Sequence, residues 1–163
     1  EESNLASQGY LENDLNRPKV QATADLCQQI NHKLEVREVS DRFRRSMEIG
    51  NILFCCVDSI ETRRLIWNAT KDNVSFFTDG RMSAEALRVL SACDVTSREH
   101  YPTTLFAANE AHVGPCTAKT TIYCANIAAG MMVAQFTKYL RRMPIDADVQ
   151  LNLLSMELTV GSD

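Results

Sequence analysis

A chain of 163 residues that is 45% apolar and 23% charged is long enough for one hydrophobic core and has an ordinary globular composition, which excludes disordered and collagen-like classes. A formal charge of −4 and a pI near 5.4 supply no global attraction to nucleic acid or to an anionic membrane. No run approaches the ~18 consecutive apolar residues of a membrane span, and the polar opening Glu1-Glu2-Ser3-Asn4 is not a secretory signal, so the expectation is a cytoplasmic protein. Residues 1–17 read as a polar loop. Pro18 fits the first turn of a helix whose apolar positions Val20, Ala24, Cys27 and Ile30 recur at helical spacing and which ends near Asn31. Leu34, Val36 and Val39 predict a short strand over 34–39, and Phe43 and Met47 an amphipathic helix over 41–48. Arg42, Arg44 and Arg45 read as the solvated face of that helix.

Residues 51–57, Asn-Ile-Leu-Phe-Cys-Cys-Val, are apolar at consecutive positions, as in a parallel strand covered on both faces. Ser59 is a good N-cap for a helix through about Ala69, and 74–78 is the next strand. Asp79-Gly80 signals a turn, and the alternation over 84–92 an antiparallel strand. Residues 93–117, with Pro102 and Gly114-Pro115, read as a long loop holding a short strand near Leu105, of the kind that is often functional. Thr117 can cap the longest helix, with Ile122, Ala125, Ala129, Met132, Phe136 and Leu140 on one face. Pro144 begins a turn, and a last strand runs over 149–160. The expected fold is α/β, a Rossmann-like and mainly parallel sheet flanked by helices with antiparallel C-terminal strands, in a single domain over 1–163. The six cysteines include the adjacent pair Cys55 and Cys56 in a buried strand and no Cys-x-x-Cys, so a reduced interior is expected rather than a disulfide framework or a zinc site.

Three blocks carry candidate chemistry. The first is Ser3-Asn4-Leu5-Ala6-Ser7-Gln8-Gly9, followed by Arg17-Pro18-Lys19-Val20 and Ile30-Asn31. Next comes Asp58-Ser59-Ile60-Glu61-Thr62-Arg63, directly after the buried strand, where ligands bind in open α/β sheets. The third joins Asp79-Gly80-Arg81-Met82 to Pro115-Cys116-Thr117-Ala118 and, along the long helix, Gln135-Phe136-Thr137-Lys138. Read from the residues alone, the first block is equally a polar loop before a capped helix. Asp58 is either a metal ligand or a helix cap, and Cys116 is either a reactive thiol at a helix N-terminus or a buried residue there. His112, four residues before Cys116, reads as a solvated loop histidine.

In this order the blocks resemble the ThiF/MoeB/HesA family, relatives of the ubiquitin-activating enzymes, with its Ser-Asn-Leu-x-Arg-Gln, Gly-x-Pro-Lys, Asp-Asn-x-x-Thr-Arg and Pro-x-Cys elements. The resemblance implies ATP and magnesium as cofactors, with nucleotide contacts from Asn4, Gln8, Lys19, Asp58 and Arg63. Asp58 would be the magnesium ligand, and Arg63 and the Cys116 thiol the catalytic candidates. Ser7 stands where the family has an arginine. The family's strand, Gly-x-Gly-x-x-Gly loop and helix have no counterpart here, since the glycines are at 9, 50, 80, 114, 130 and 161. What is implied is a domain truncated at its N-terminus, related to enzymes that adenylate the C-terminus of a ubiquitin-like or sulfur-carrier protein and adenylation-deficient as an isolated chain. The alternatives are a non-catalytic binding or scaffold module and one half of a split activating enzyme. The partners implied are a second copy covering the open edge of 51–57, a small carrier protein and a separate N-terminal half, with no nucleic acid and no membrane.

Overall fold

The computed structural model describes residues 9–106 and 121–161. They fall into two compact units, Glu1–Arg44 and Arg45–Asp163.

The first unit holds one short 3-10 turn, Glu12–Asp14, and helix α1, Lys19–Ile30, entered from Pro18. Arg17 ties the turn to the helix through Asp14 at 3.2 Å and Asp25 at 2.5 Å. The strand expected over 34–39 does not form: the segment has no ladder partner among the described residues, and Leu34, Val36 and Val39 are exposed. Its incomplete alternation offers no continuous apolar face to bury. The helix expected over 41–48 is also absent, and residues 45–47 are a turn. The Asp41 carboxylate accepts from the Arg42 amide at 2.7 Å, a local bond that competes with the helical ladder.

The second unit is a five-stranded sheet in the order β1-β2-β3-β4-β5. Strand β1, Ile52–Cys55, lies inside the apolar run 51–57 and pairs in parallel with β2, Phe76–Ser83, with Cys55 opposite Asp79. Between them runs α2, Ile60–Thr70, capped as expected by Ser59, whose side chain accepts from the Thr62 amide. Its buried residues Arg63, Ile66, Trp67 and Thr70 recur at helical spacing and face the sheet. Strands β3, Ala86–Ala92, β4, Asp148–Asn152, and β5, Glu157–Gly161, continue the sheet in antiparallel pairings. The result is an α/β fold in which a parallel pair is extended by antiparallel strands, flanked by α2, by α3, Val95–Thr103, and by α4, Ile122–Leu140.

Four boundaries differ from the sequence expectation. Asp79-Gly80 is the middle of β2, and the turn falls at Ala84, which adopts φ 53°. Gly80 is needed for close packing, because a Cβ there would lie 2.7 Å from the Met132 sulfur of α4. Residues 95–103, expected in a loop, form α3, with Asp94 and Ser97 satisfying each other's backbone amides in a capping box. The single strand over 149–160 is a hairpin, turned where the Asn152 side chain accepts from the Leu154 and Ser155 amides and Met156 takes φ 55°. Helix α4 is capped by Thr121, whereas the expected cap Thr117 lies outside the described residues.

Helix α4 packs over β2 and β3. Cys124, Ala128 and Met132 meet Leu87 and Val89 there, while Phe136 and Tyr139 meet the Phe54 and Phe76 rings. On the opposite side of the sheet, Trp67, Phe77 and Tyr101 form a second aromatic group.

One polar cluster ties α3 to the far end of the sheet. Buried Asp148 of β4 accepts from Arg88 Nε at 2.8 Å and lies 3.0 Å from His100 Nε2. Burial alone would raise its pKa, but the bonds from Arg88 and His100 outweigh it and hold the carboxyl below its ordinary value. A carboxyl depressed in this way contributes stability that is complete above its unfolded pKa of ~3.9 and is lost as the pH falls through its lower folded value. Stability is therefore expected to decline below about pH 4, and Asp148→Asn to make that decline shallower. An acid limb unchanged by the substitution, measured by urea unfolding at stepped pH, contradicts this.

Candidate active site

The site is built where β1 ends beside the middle of β2, with Cys55 opposite Asp79. At its open side stands Asp58, three residues beyond the last residue of β1. It is exposed, and among the described residues nothing engages its carboxylate by a hydrogen bond or ion pair. The alternative reading of Asp58 as the helix cap is excluded by Ser59, which fills that position and also donates to Glu61 at 2.8 Å. A carboxylate left unengaged at the exit of a parallel strand, one residue from a helix cap, is poised for a cation or a cation-bound phosphate.

A buried charge cluster is centred on Asp79 of β2, which lies opposite Cys55 and is fully buried. Its two carboxylate oxygens accept from Arg63 Nε at 2.8 Å, Arg81 Nε at 2.8 Å and the Tyr101 hydroxyl at 3.0 Å. The second donor edge of Arg63 reaches the Gly80 carbonyl at 3.1 Å, and Arg81 reaches the carbonyl and hydroxyl of Thr104 at 2.8 and 3.0 Å. Arg81 also sits over the Tyr101 ring, 5.6 Å from its centroid. Burial, reinforced by the Asp79 charge, raises the Tyr101 pKa, so its hydroxyl stays protonated and donates. Two guanidiniums on one carboxylate leave the cluster with an excess of positive charge beside the end of β1.

Arg63 of α2 is buried at 7% exposure, and its guanidinium donates to Asp79 and to the Gly80 carbonyl. Lys19 is exposed at the first position of α1 in the other unit. Asn4, Ser7, Gln8, His112 and Cys116 lie outside the described residues. Sequence reasoning missed Asp79 and Tyr101 as members of the cluster, because Asp79-Gly80 read as a turn and 93–117 as a loop. The available signal was an acid two residues after the apolar start Phe76-Phe77 of a strand, since a buried carboxylate requires partners.

Among the thiols, Cys56 is exposed, contrary to its expected burial in the strand, because β1 ends at Cys55. Cys55 is buried, and burial together with the Asp79 charge pushes its pKa up to about 12. Cys124 is likewise buried and raised. Limited iodoacetamide treatment with mass-spectrometric mapping is expected to label Cys116 first and to spare Cys55 and Cys124. Earlier labelling of Cys93 or Cys27 contradicts the helix-start argument for Cys116.

Among the described residues no group of three or more His, Cys, Asp or Glu side chains could cage a metal, and no helix is long and apolar enough to cross a membrane. Magnesium suits such a setting, because it is ordinarily held by one or two carboxylates plus substrate phosphates. Asp58 fits that part.

Residues 1–160 match the ThiF family, and the chain belongs to that family. No curated protein matches the chain. Among solved structures it is similar to PaaA, with 14% identity, a TM-score of 0.74 and coverage of 99% of this chain and 61% of that one. It is also similar to Escherichia coli MccB, with 12% identity, a TM-score of 0.72 and coverage of 99% and 52%. MccB solved with AMPCPP and MccA gives 13% identity, a TM-score of 0.73 and coverage of 99% and 53%. These likenesses show the fold. The chain spans 61% of the length of PaaA and 52% of that of MccB.

Proposed function

We propose that this chain carries the carboxylate-bearing part of an adenylation site that acts on the C-terminus of a small ubiquitin-like or sulfur-carrier protein. The observation that carries the reading is Asp58, exposed and unengaged at the exit of β1 while Ser59 caps the helix. Membership of the ThiF family supports it, as does the structural neighbour solved with AMPCPP and MccA. Magnesium-bound ATP, when present, supplies the electrophilic α-phosphate and the pyrophosphate leaving group. Asp58 would hold the metal, which would stabilise charge on the phosphates. The family resemblance makes Lys19, exposed at the first position of α1, a candidate phosphate contact. Asn4 and Gln8 complete the nucleotide contacts, and Cys116 is the thiol that could take part after adenylation.

Residues 1–163 contain no Gly-x-Gly-x-x-Gly loop, so by themselves they are adenylation-deficient. The alternative is one half of a split activating enzyme, completed by a separate polypeptide that carries such a loop. ATP–pyrophosphate exchange tests both. The chain with a small carrier ending in Gly-Gly is expected to give no exchange, and the same mixture with a polypeptide carrying the glycine-rich loop to give it. Exchange by the chain and carrier alone contradicts the reading. Absence of exchange in both mixtures favours a non-catalytic binding module.

A further inference from the structure

Helix α2 carries two stripes. Arg63, Ile66, Trp67 and Thr70 are buried against the sheet, whereas Ile60, Glu61, Arg64 and Leu65 line an open cleft of about 280 Å³. Phe106, just beyond α3, and Arg45 contribute to the same lining, and Phe106 is 41% exposed. The cleft lies within the second compact unit, of which Arg45 is the first residue.

Its charges are unequal. Glu61 already accepts from the Ser59 hydroxyl at 2.8 Å. The Arg64 guanidinium is anchored at one end, where Nη2 donates to the Leu105 and Phe106 carbonyls at 2.6 and 2.9 Å. Those two bonds fix its orientation and leave Nη1 without a partner among the described residues. Among the same residues nothing engages the Arg45 guanidinium. Two guanidiniums against one carboxylate give the cleft a net positive charge. The core of the same unit shows how such a pair is satisfied, since the Asp79 carboxylate bridges Arg63 and Arg81. The cleft has the pair of arginines and no carboxylate between them. Ile60, Leu65 and Phe106 add apolar lining, so a carboxylate borne on a partly apolar peptide complements it better than a free inorganic anion does.

The cleft begins two residues after Asp58. From Asp58 to Arg64 the chain advances about 9 Å at the helical rise, a span that an extended peptide covers in about three residues. We propose that this cleft reads the carrier's tail, taking an acidic side chain about three residues before the terminal glycine, with Arg45 and Arg64 setting the specificity. This rests on the adenylation reading, because a terminal carboxyl brought to Asp58 fixes where along the tail the acid falls. A tail with lysine or arginine at that place meets two guanidiniums and is rejected.

NMR titration of the 163-residue chain with acetyl-Ala-Ala-Glu-Leu-Gly-Gly and with acetyl-Ala-Ala-Lys-Leu-Gly-Gly tests it. At low salt the glutamate peptide is expected to bind about tenfold more tightly, with shifts concentrated at residues 45, 60–65 and 106. Arg45→Glu and Arg64→Glu each turn the net charge of the cleft negative and are expected to reverse the order of the two peptides, which loss of packing alone does not do. Arg45 lies in an exposed turn, so its variant decides the matter even if Arg64→Glu fails to fold. Equal binding of the two peptides, or a glutamate preference that survives Arg45→Glu, overturns the proposal. ATP–pyrophosphate exchange in the completed mixture separates it from the reading beneath it. Exchange that is indifferent to the charge of the tail overturns the role of the cleft and leaves the adenylation site standing. A charge preference in binding without any exchange upholds the cleft as an acidic-peptide site and overturns the adenylation reading alone.

Discussion

Asp79→Asn is expected to destabilise the protein by about 3–5 kcal/mol, the cost of removing one partner from a buried ion pair. The substitution keeps the size of the side chain and deletes only its charge. It leaves the Arg63 and Arg81 guanidiniums, whose side chains are 8% and 13% exposed, facing a neutral amide that cannot compensate them. Because the amide presents only one acceptor oxygen, at least one of the three donors now on the carboxylate also loses its partner. Against a typical domain stability of about 5–15 kcal/mol, that is enough to unfold a marginal protein near body temperature. Urea unfolding measures it directly. A loss below about 1 kcal/mol would mean that water reaches the cluster and screens it. Since Asp79 is fully buried, this variant also shows why loss of activity at Asp79 alone cannot be read as loss of a nucleotide contact.

Trp67→Ala is expected to cost a comparable amount, about 3–5 kcal/mol, through transfer and cavity terms. Trp67 is 2% exposed, and its ring centroid lies 5.0 Å from that of Phe77 and 4.6 Å from that of Tyr101. These rings pin α2 and α3 to the same side of the sheet, and Tyr101 links them to Asp79. The cavity therefore loosens the polar cluster as well as the apolar layer. A double-mutant cycle between Trp67→Ala and Tyr101→Phe is expected to show coupling, because the two side chains touch. Independent, additive effects would contradict the description of Trp67, Tyr101 and Asp79 as one packed unit.

The parts of the chain where local signals and tertiary packing agree were legible in the sequence. The apolar run before Asp58 was readable as a strand, although only Cys55 of β1 is buried and Ile52 and Phe54 are exposed, and Ser59 with the spacing of Ile66, Trp67 and Thr70 marked an amphipathic helix. Those two elements carry the Asp58 position, so the open end of the candidate site was readable without coordinates. Helix α3 was not, because it buries only Ser97 and Tyr101 and exposes Val95, leaving no apolar stripe to detect. Its legible mark was the capping pair Asp94 and Ser97. The hairpin between β4 and β5 was hidden by a turn, Leu153-Leu154-Ser155-Met156, with no glycine or proline, its geometry being imposed by the preceding Asn152. The inward contact of Arg63 was hidden for a different reason. Its partner Asp79 lies sixteen residues away on a neighbouring strand, and only the parallel register of β1 and β2 brings them together. The same Asp-x-x-x-x-Arg spacing that suggests a phosphate contact also fits an arginine turned inward, and burial decides between the two.

The central claim is that Asp58 anchors a magnesium-bound nucleotide, and calorimetric titration of magnesium-ATP tests it most directly. The 163-residue chain alone is expected to bind at about millimolar affinity or weaker, since the phosphates find no glycine-rich amide cradle in it. Adding a polypeptide that carries such a loop is expected to bring binding into the micromolar range, and Asp58→Ala is expected to abolish that gain with the urea midpoint unchanged, because the carboxylate is exposed and has no partner among the described residues to lose. Micromolar binding by the chain alone, or equal binding by wild type and Asp58→Ala in the completed mixture, would contradict the account.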